Sequence, residues 1–245
     1  AAVDEVSPLL VVSVRWFFVS ILLTFLCRKE LFETWKVLKY RLKWLVIMGL
    51  FGFTSFNSFY YIAAHDTIAI NLGLVQGTMP AFIIIISRIW LKEKINIPQL
   101  IGVIITFVAV LLVVSSGNLY ALMKLQLNKG DIVMIFACTL YAVYAVGLRK
   151  KPKIGALVLL TFFSYVAFIG SLPGLFYETF TSNLVLPGMK GIIILSIIII
   201  FPSFLAQIFF MKGVEKIGPA RSGLYTNLVP VFASILAVLL LGELF

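Results

Sequence analysis

The segment from Phe59 to Glu93, FYYIAAHDTIAINLGLVQGTMPAFIIIISRIWLKE, returns from Phe209 to Glu243 as FFMKGVEKIGPARSGLYTNLVPVFASILAVLLLGE. The offset is a constant 150 residues with no gap, so Gly73 falls on Gly223, Pro80 on Pro230 and Glu93 on Glu243. Matches of Leu or Ile carry little weight in an apolar chain. A Gly, a mid-helix Pro and a Glu at fixed spacing carry more, because composition alone does not supply them. Whatever fold the chain adopts is therefore built twice.

The duplicated unit belongs in a membrane. Hydrophobic residues make up 62% of the 245 and charged ones 12%, whereas soluble proteins run near half and a quarter. Mean hydropathy is +1.10. The net charge of +10 does not point to nucleic acid, because the cations sit in short clusters between apolar runs. Cys27 and Cys138 lie in or at the end of apolar runs, so no disulfide framework is expected. A single histidine, His65, leaves few residues for a metal site or His-based catalysis, and no cofactor is expected. The opening AAVDEVSP has no basic run leading into a short apolar segment, so no signal peptide is expected there.

A hydrocarbon core of about 30 Å takes roughly 20 apolar residues per helix. Eight stretches qualify: 8–27, 44–64, 69–91, 97–115, 130–148, 155–176, 190–211 and 220–241. If each spans, one side of the membrane receives the connection from Arg28 to Lys43, Lys92 and Lys94, the cluster Arg149, Lys150, Lys151 and Lys153, and the group Lys212, Lys216 and Arg221. The other side receives Lys124, Lys129 and Lys190 with Asp66, Asp131 and Glu178. That bias places the basic side in the cytoplasm.

Shifting by the repeat places a partner of the 130–148 helix just before residue 1, and a partner of the 97–115 helix just after residue 245. The complete unit is then five helices and the pair ten. An odd number inverts the second copy in the membrane, as in many secondary transporters. The expected fold is an all-α membrane protein, a 5+5 inverted-repeat transmembrane helix bundle with eight of ten helices in this chain. Residues 1–120 form the first repeat and 121–245 the second.

The segments PLLVVSVRWF from Pro8 to Phe17, the Pro80 and Pro230 helices each ending in Glu, and GDIVMIFACTLYAVYAVGLRK from Gly130 to Lys150 together resemble the drug/metabolite transporter superfamily, in particular its EamA-type members. The likeness spans nearly the whole chain. It implies a secondary transporter in the bacterial cytoplasmic membrane, with export of amino acids or related metabolites as a common role. Multidrug and nucleotide-sugar transport are alternatives within the superfamily.

Polar side chains inside spanning helices should face protein or a water-filled cavity. The duplication pairs Asn57 with Gln207, Gln76 with Thr226, and Gly77 with Asn227. Transporter sites form near the midplane where repeats meet, so Asn57, Gln76, Gln207, Thr226 and Asn227 are candidate substrate-binding residues. Interhelical hydrogen bonding is the competing role, at about 0.6–2 kcal/mol each. Tyr61, Tyr141, Tyr144 and Tyr225 are candidates for a wall against an aromatic, aliphatic or cationic solute, or else packing and interfacial anchors. The resemblance commonly places an aromatic at the position of Tyr141. Pro80 and Pro230 are candidate hinges, since each removes a backbone hydrogen bond at the same place in its half.

Arg15 is the one cation well inside a spanning stretch and needs a partner. It either ties two helices together, as a structural charge, or attracts an anionic group. Gly73-x-x-x-Gly77 and Gly170-x-x-x-Gly174 permit close helix approach, the second within the chain or at a homodimer contact. No G-x-x-x-x-G-K-[ST] occurs, so ATP drive within this chain is excluded. An enzyme is not expected, since one His and no intramembrane acid pair leave too little to work with. The expected activity is alternating-access transport of a small polar or amphipathic solute through the bilayer; a channel or a membrane scaffold is the alternative.

Overall fold

The computed structural model of the chain describes residues 6–114, 128–181, 184–229 and 232, and every regular element among them is helical. Among the described residues six helical stretches are long and apolar enough to cross a membrane: Leu9–Tyr40, Leu42–Ala64, Asn71–Leu91, Lys129–Lys150, Ala156–Thr181 and Met189–Ile217. Ile97–Leu112 is a shorter apolar helix. These seven lie where the hydropathy pattern puts them. Half of the eighth, 220–241, lies outside the described residues.

In chain order the elements are α1 (Pro8–Tyr40), α2 (Leu42–Gly49), a π-helical segment Leu50–Ser55, α3 (Phe56–Asp66), α4 (Ala69–Gly77), α5 (Met79–Trp90) and α6 (Ile97–Val114). There follow α7 (Lys129–Gly147), α8 (Ala156–Thr181), α9 (Met189–Ile198), a second π-helical segment Ile199–Leu205, α10 (Ala206–Ile217) and α11 (Pro219–Leu224). A 3₁₀ turn, Tyr225–Asn227, continues from α11.

One expectation is corrected. The basic stretch after Cys27 is not a connecting loop but the second part of α1, which bends at Cys27 (φ −123°, ψ 26°) and runs on to Tyr40. The stretch contains no Gly or Pro to stop it, and Leu38 packs it down with near-complete burial.

The fold divides into two compact units, Ala1–Tyr61 with Lys150–Gly213, and Ile62–Arg149 with Val214–Phe245. Each half of the sequence contributes to both.

The first unit is centred on α1 and α8, which lie against each other along much of their length. Pro8 opens α1, where its missing N–H is no loss. The next two amides, Leu9 and Leu10, donate to the Glu178 carboxylate at 3.3 and 2.9 Å. Inside, the buried Trp16 meets Phe53 edge-on at 4.9 Å, and Phe53 meets Phe163 at 5.4 Å. A Cβ at Gly170 would lie 2.7 Å from Thr54 Oγ1, and one at Gly174 3.2 Å from Leu9 Cδ1. Both glycines of that motif are therefore occupied by packing within the chain.

The second unit sets α7 against α5 and α4. A Cβ on Gly130 would fall 2.7 Å from the Ala63 carbonyl oxygen, so only glycine lets these backbones approach. Gly77 serves the same end against Val110, whose Cγ1 would lie 2.6 Å from an added Cβ.

Candidate functional site

The third spanning stretch is a broken helix rather than a bent one. Α-helical bonding stops at Gly77, and Thr78 (φ −79°, ψ −9°) separates α4 from α5. Pro80 stands in the first turn of α5, where it forfeits no helical bond of that segment. In an unbroken helix the Ala81 N–H would donate to the Gly77 carbonyl. Here it donates to Thr78 at 2.9 Å. The Asn227 Nδ2 donates to the Gly77 carbonyl instead, at 3.1 Å in a buried setting. Asn227 closes the 3₁₀ turn that interrupts the equivalent helix of the second half. Neighbouring Thr226 donates its hydroxyl back to the Gly223 carbonyl at 2.6 Å. The duplication partners Gly77 and Asn227 thus meet at a break in both helices. Pro230 lies outside the described residues.

In the first unit the duplication is marked differently. The π-helical segments Leu50–Ser55 and Ile199–Leu205 coincide when shifted by 150 residues. Each comes just before one of the predicted amide residues, Asn57 or Gln207. Single π turns inside α-helices occur frequently at functional sites, because they re-aim side chains and disturb the hydrogen-bond ladder. Asn57 Nδ2 donates to the Phe53 carbonyl at 2.5 Å, and Ser203 Oγ to the Ile198 carbonyl at 2.8 Å. Arg15 Nη2 donates to Asn57 Oδ1 at 2.6 Å, and its guanidinium carbon lies 4.9 Å from the Trp16 ring centre. Arg15 therefore has a side-chain amide as its partner, and it ties α1 to α3. The Arg15 Nε and the Gln207 Oε1 are buried and make no hydrogen bond among the described residues.

The remaining candidates divide by burial. Tyr141 and Tyr144 are buried on α7 and stack edge-on at 5.4 Å. Tyr61 is half-buried and meets Tyr60 edge-on at 5.8 Å. Gln76 is half-buried. Tyr225 is 63% exposed, so it faces away from the unit that holds it.

Asp131 is a buried carboxylate rather than the loop charge its place beside an apolar run suggests. Asp131, 1% exposed, accepts from Thr67 Oγ1 at 2.6 Å, Asn71 Nδ2 at 2.9 Å and the Asn128 N–H at 3.0 Å. Asn128 Oδ1 accepts in turn from the Asp131 N–H at 3.0 Å, and its Nδ2 donates to Thr67 Oγ1 at 2.8 Å. This is a capping box on α7 that also clamps the α3–α4 link. The signal was present as Asn-x-x-Asp ahead of an apolar run. Glu178, likewise counted with the loop charges, is the buried cap of α1. Among the described residues no three His, Cys, Asp or Glu side chains are grouped so as to hold a metal ion.

The sequence model of the EamA-like transporter family matches residues 1–115 and 128–245. Among curated relatives, the uncharacterized transporter YyaM of Bacillus subtilis (strain 168) is 28% identical over 197 residues, covering 78% of this chain and 63% of its own length. The uncharacterized transporter YetK of the same organism is 26% identical, over 82% of this chain and 61% of its own length. The chain thus spans somewhat over three-fifths of these two relatives. An uncharacterized transporter of Archaeoglobus fulgidus is 24% identical over 99% of this chain and 83% of its own length. A solved crystal structure shares the fold with a TM-score of 0.76 and 18% identity, over 97% of this chain and 80% of that one.

Proposed function

The chain belongs to the EamA-like transporter family, and from that premise we propose that it is a secondary transporter for a small polar or amphipathic metabolite. Amino acids and related solutes are the favoured class, with export the favoured direction. The solute site lies where the two repeats meet, near the midplane. Asn57, Gln76, Gln207, Thr226 and Asn227 supply its polar contacts, and Tyr61, Tyr141, Tyr144 and Tyr225 its aromatic ones.

One observation carries this reading: Gly77 and Asn227, equivalent in the duplication, are joined at a break in both helices. Discontinuous helices expose backbone polar groups at membrane depth, which lipid tolerates only where protein or a water-filled cavity satisfies them. Paired breaks of this kind line the sites of inverted-repeat transporters. The coincident π segments beside Asn57 and Gln207 give the same support from the other unit. Exchange of access from side to side would use the broken helices as hinges, at Thr78–Pro80 and at the corresponding turn before Pro230.

Reconstitution of the chain into vesicles tests this. Saturable uptake of one solute class among amino acids, nucleotide sugars and cationic drugs, stimulated by the same solute on the far side, is the expected result. Gln76→Ala and Gln207→Ala should raise the KM for that solute. Uptake that rises linearly with concentration, with no trans-stimulation, would indicate a channel and overturn the carrier mechanism.

A further inference from the structure

From Arg28 to Lys43 the chain carries six cations, Arg28, Lys29, Lys36, Lys39, Arg41 and Lys43, against two acids, Glu30 and Glu33. Most of this stretch is the part of α1 beyond the bend at Cys27. The whole of α1 is 33 residues, or about 50 Å at 1.5 Å per residue. A hydrocarbon core of about 30 Å accommodates the segment up to Cys27 and leaves the rest at or beyond the headgroups.

That extension is two-sided. Cys27, Leu31, Thr34 and Leu38 recur at i, i+4, i+7 and i+11, and they are buried or half-buried against the protein. Arg28, Phe32, Trp35, Lys36 and Lys39 recur at i, i+4, i+7, i+8 and i+11, and all are exposed. Phe32 is 87% exposed and Trp35 58%. On the same helix before the bend, Phe18, Ile21, Phe25 and Leu26 are exposed too, as suits side chains facing acyl chains. The outer face of α1 therefore passes from purely apolar to aromatic-and-basic at the depth where a bilayer passes from acyl chain to headgroup.

The cations on this extension are also unanswered. Among the described residues, none of the six makes an ion pair or a side-chain hydrogen bond. Three basic side chains elsewhere are tied to the protein: Arg149 pairs with Glu93 at 3.9 Å, Arg88 donates to the Glu93 carbonyl, and Lys151 to the Ile154 carbonyl. Interleaved cations and aromatics on one face of a helix, with acids off that face, are what an anionic headgroup layer recognises. A second copy meeting this face head-on would set like charges against each other.

We propose that the face of α1 formed by Arg28, Phe32, Trp35, Lys36 and Lys39 is a binding surface for anionic phospholipid headgroups. Phe32 and Trp35 sink to the headgroup boundary, and the three cations hold phosphodiester or other anionic head groups beside them. This goes beyond the proposed transport activity and does not depend on it.

The test uses the full chain in nanodiscs of phosphatidylcholine containing brominated phosphatidylglycerol or brominated phosphatidylcholine. The Trp35 signal is isolated by difference from Trp35→Phe. Stronger quenching of Trp35 by the brominated anionic lipid is expected. The variant Arg28→Gln/Lys36→Gln/Lys39→Gln should keep Trp35 at the interface yet be quenched equally by both lipids, the preference falling roughly fivefold per cation removed at low salt. Its melting temperature in neutral detergent should match the parent, separating lost lipid binding from lost folding. Equal quenching of the parent by both lipids would overturn the proposal. So would an unquenched Trp35, or a triple variant that retains the preference.

Discussion

The Asn227 side-chain amide donates to the Gly77 carbonyl at 3.1 Å, and the two residues stand 150 positions apart, the period of the duplication. Two equivalent points of a repeated unit come into contact only close to the axis that relates the copies. The contact also answers a chemical need, because the break before Pro80 leaves the Gly77 carbonyl without its helical donor. Asn227→Ala should leave that buried oxygen unpaired, at a cost of about 1–3 kcal/mol. A lowered melting temperature in detergent is the expected result. An unchanged melting temperature would mean that water takes the place of the amide.

The Asp131 carboxylate receives three donors, from Thr67, Asn71 and Asn128. Asp131→Ala takes the acceptor from all three in a buried site and removes the reciprocal half of the α7 capping box, leaving the Asn128 cap itself, a loss of about 2–4 kcal/mol. Asp131→Asn retains one acceptor oxygen and should lose about half as much. Thr67→Val removes a hydroxyl that both donates to Asp131 and accepts from Asn128, so its effect should not add to that of Asp131→Ala. Melting curves of the two single variants and the double variant measure this directly. Strict additivity would show that the network is not a unit.

Much of this architecture is written in the sequence, and the remainder has identifiable causes. Spans follow from apolar runs, and the offset of 150 residues pairs Gly77 with Asn227 before any coordinates exist. The π segments are not legible. LFGFTS and IIFPSFL share no pattern, and a π turn differs from an α turn by one residue of hydrogen-bond register. Nor does the sequence say that Arg15 finds Asn57, since that choice depends on how α1 lies against α3. Asp131 and Glu178 look like loop charges because they flank apolar runs; their burial is a consequence of capping helix ends inside the protein.

Lys92 ends α5 in the left-handed region, φ 57°, while the Leu91 and Glu93 amides turn back to the Ser87 carbonyl at 3.0 and 3.5 Å. Glycine normally takes this place, since a side chain there costs roughly 1–2 kcal/mol. Lys92→Gly relieves that strain but gains unfolded-state freedom worth about 0.4–1 kcal/mol. The net should be a stabilisation of about 0.5–1 kcal/mol. Lys92→Val, branched at Cβ, should destabilise. An order of melting temperatures other than Gly above Lys above Val would argue against a left-handed cap.

Arg15 and Asn57 form an asymmetric pair, joined at 2.6 Å, in which one partner is charged and the other neutral. Asn57→Leu leaves a guanidinium whose Nε is already buried and unbonded among the described residues without the side-chain acceptor that Asn57 supplies. That variant should lose about 2–3 kcal/mol. Arg15→Met replaces the charge by an apolar chain of similar reach and leaves only an amide oxygen unmatched, a smaller loss of about 1 kcal/mol. The double variant should then be more stable than Asn57→Leu alone, because the stranded charge has gone with its partner. The hydrogen bond from Asn57 to the Phe53 carbonyl is lost in both Asn57 variants and cancels in the cycle. If the double variant melted at the sum of the two single losses, Arg15 would be held by something other than Asn57.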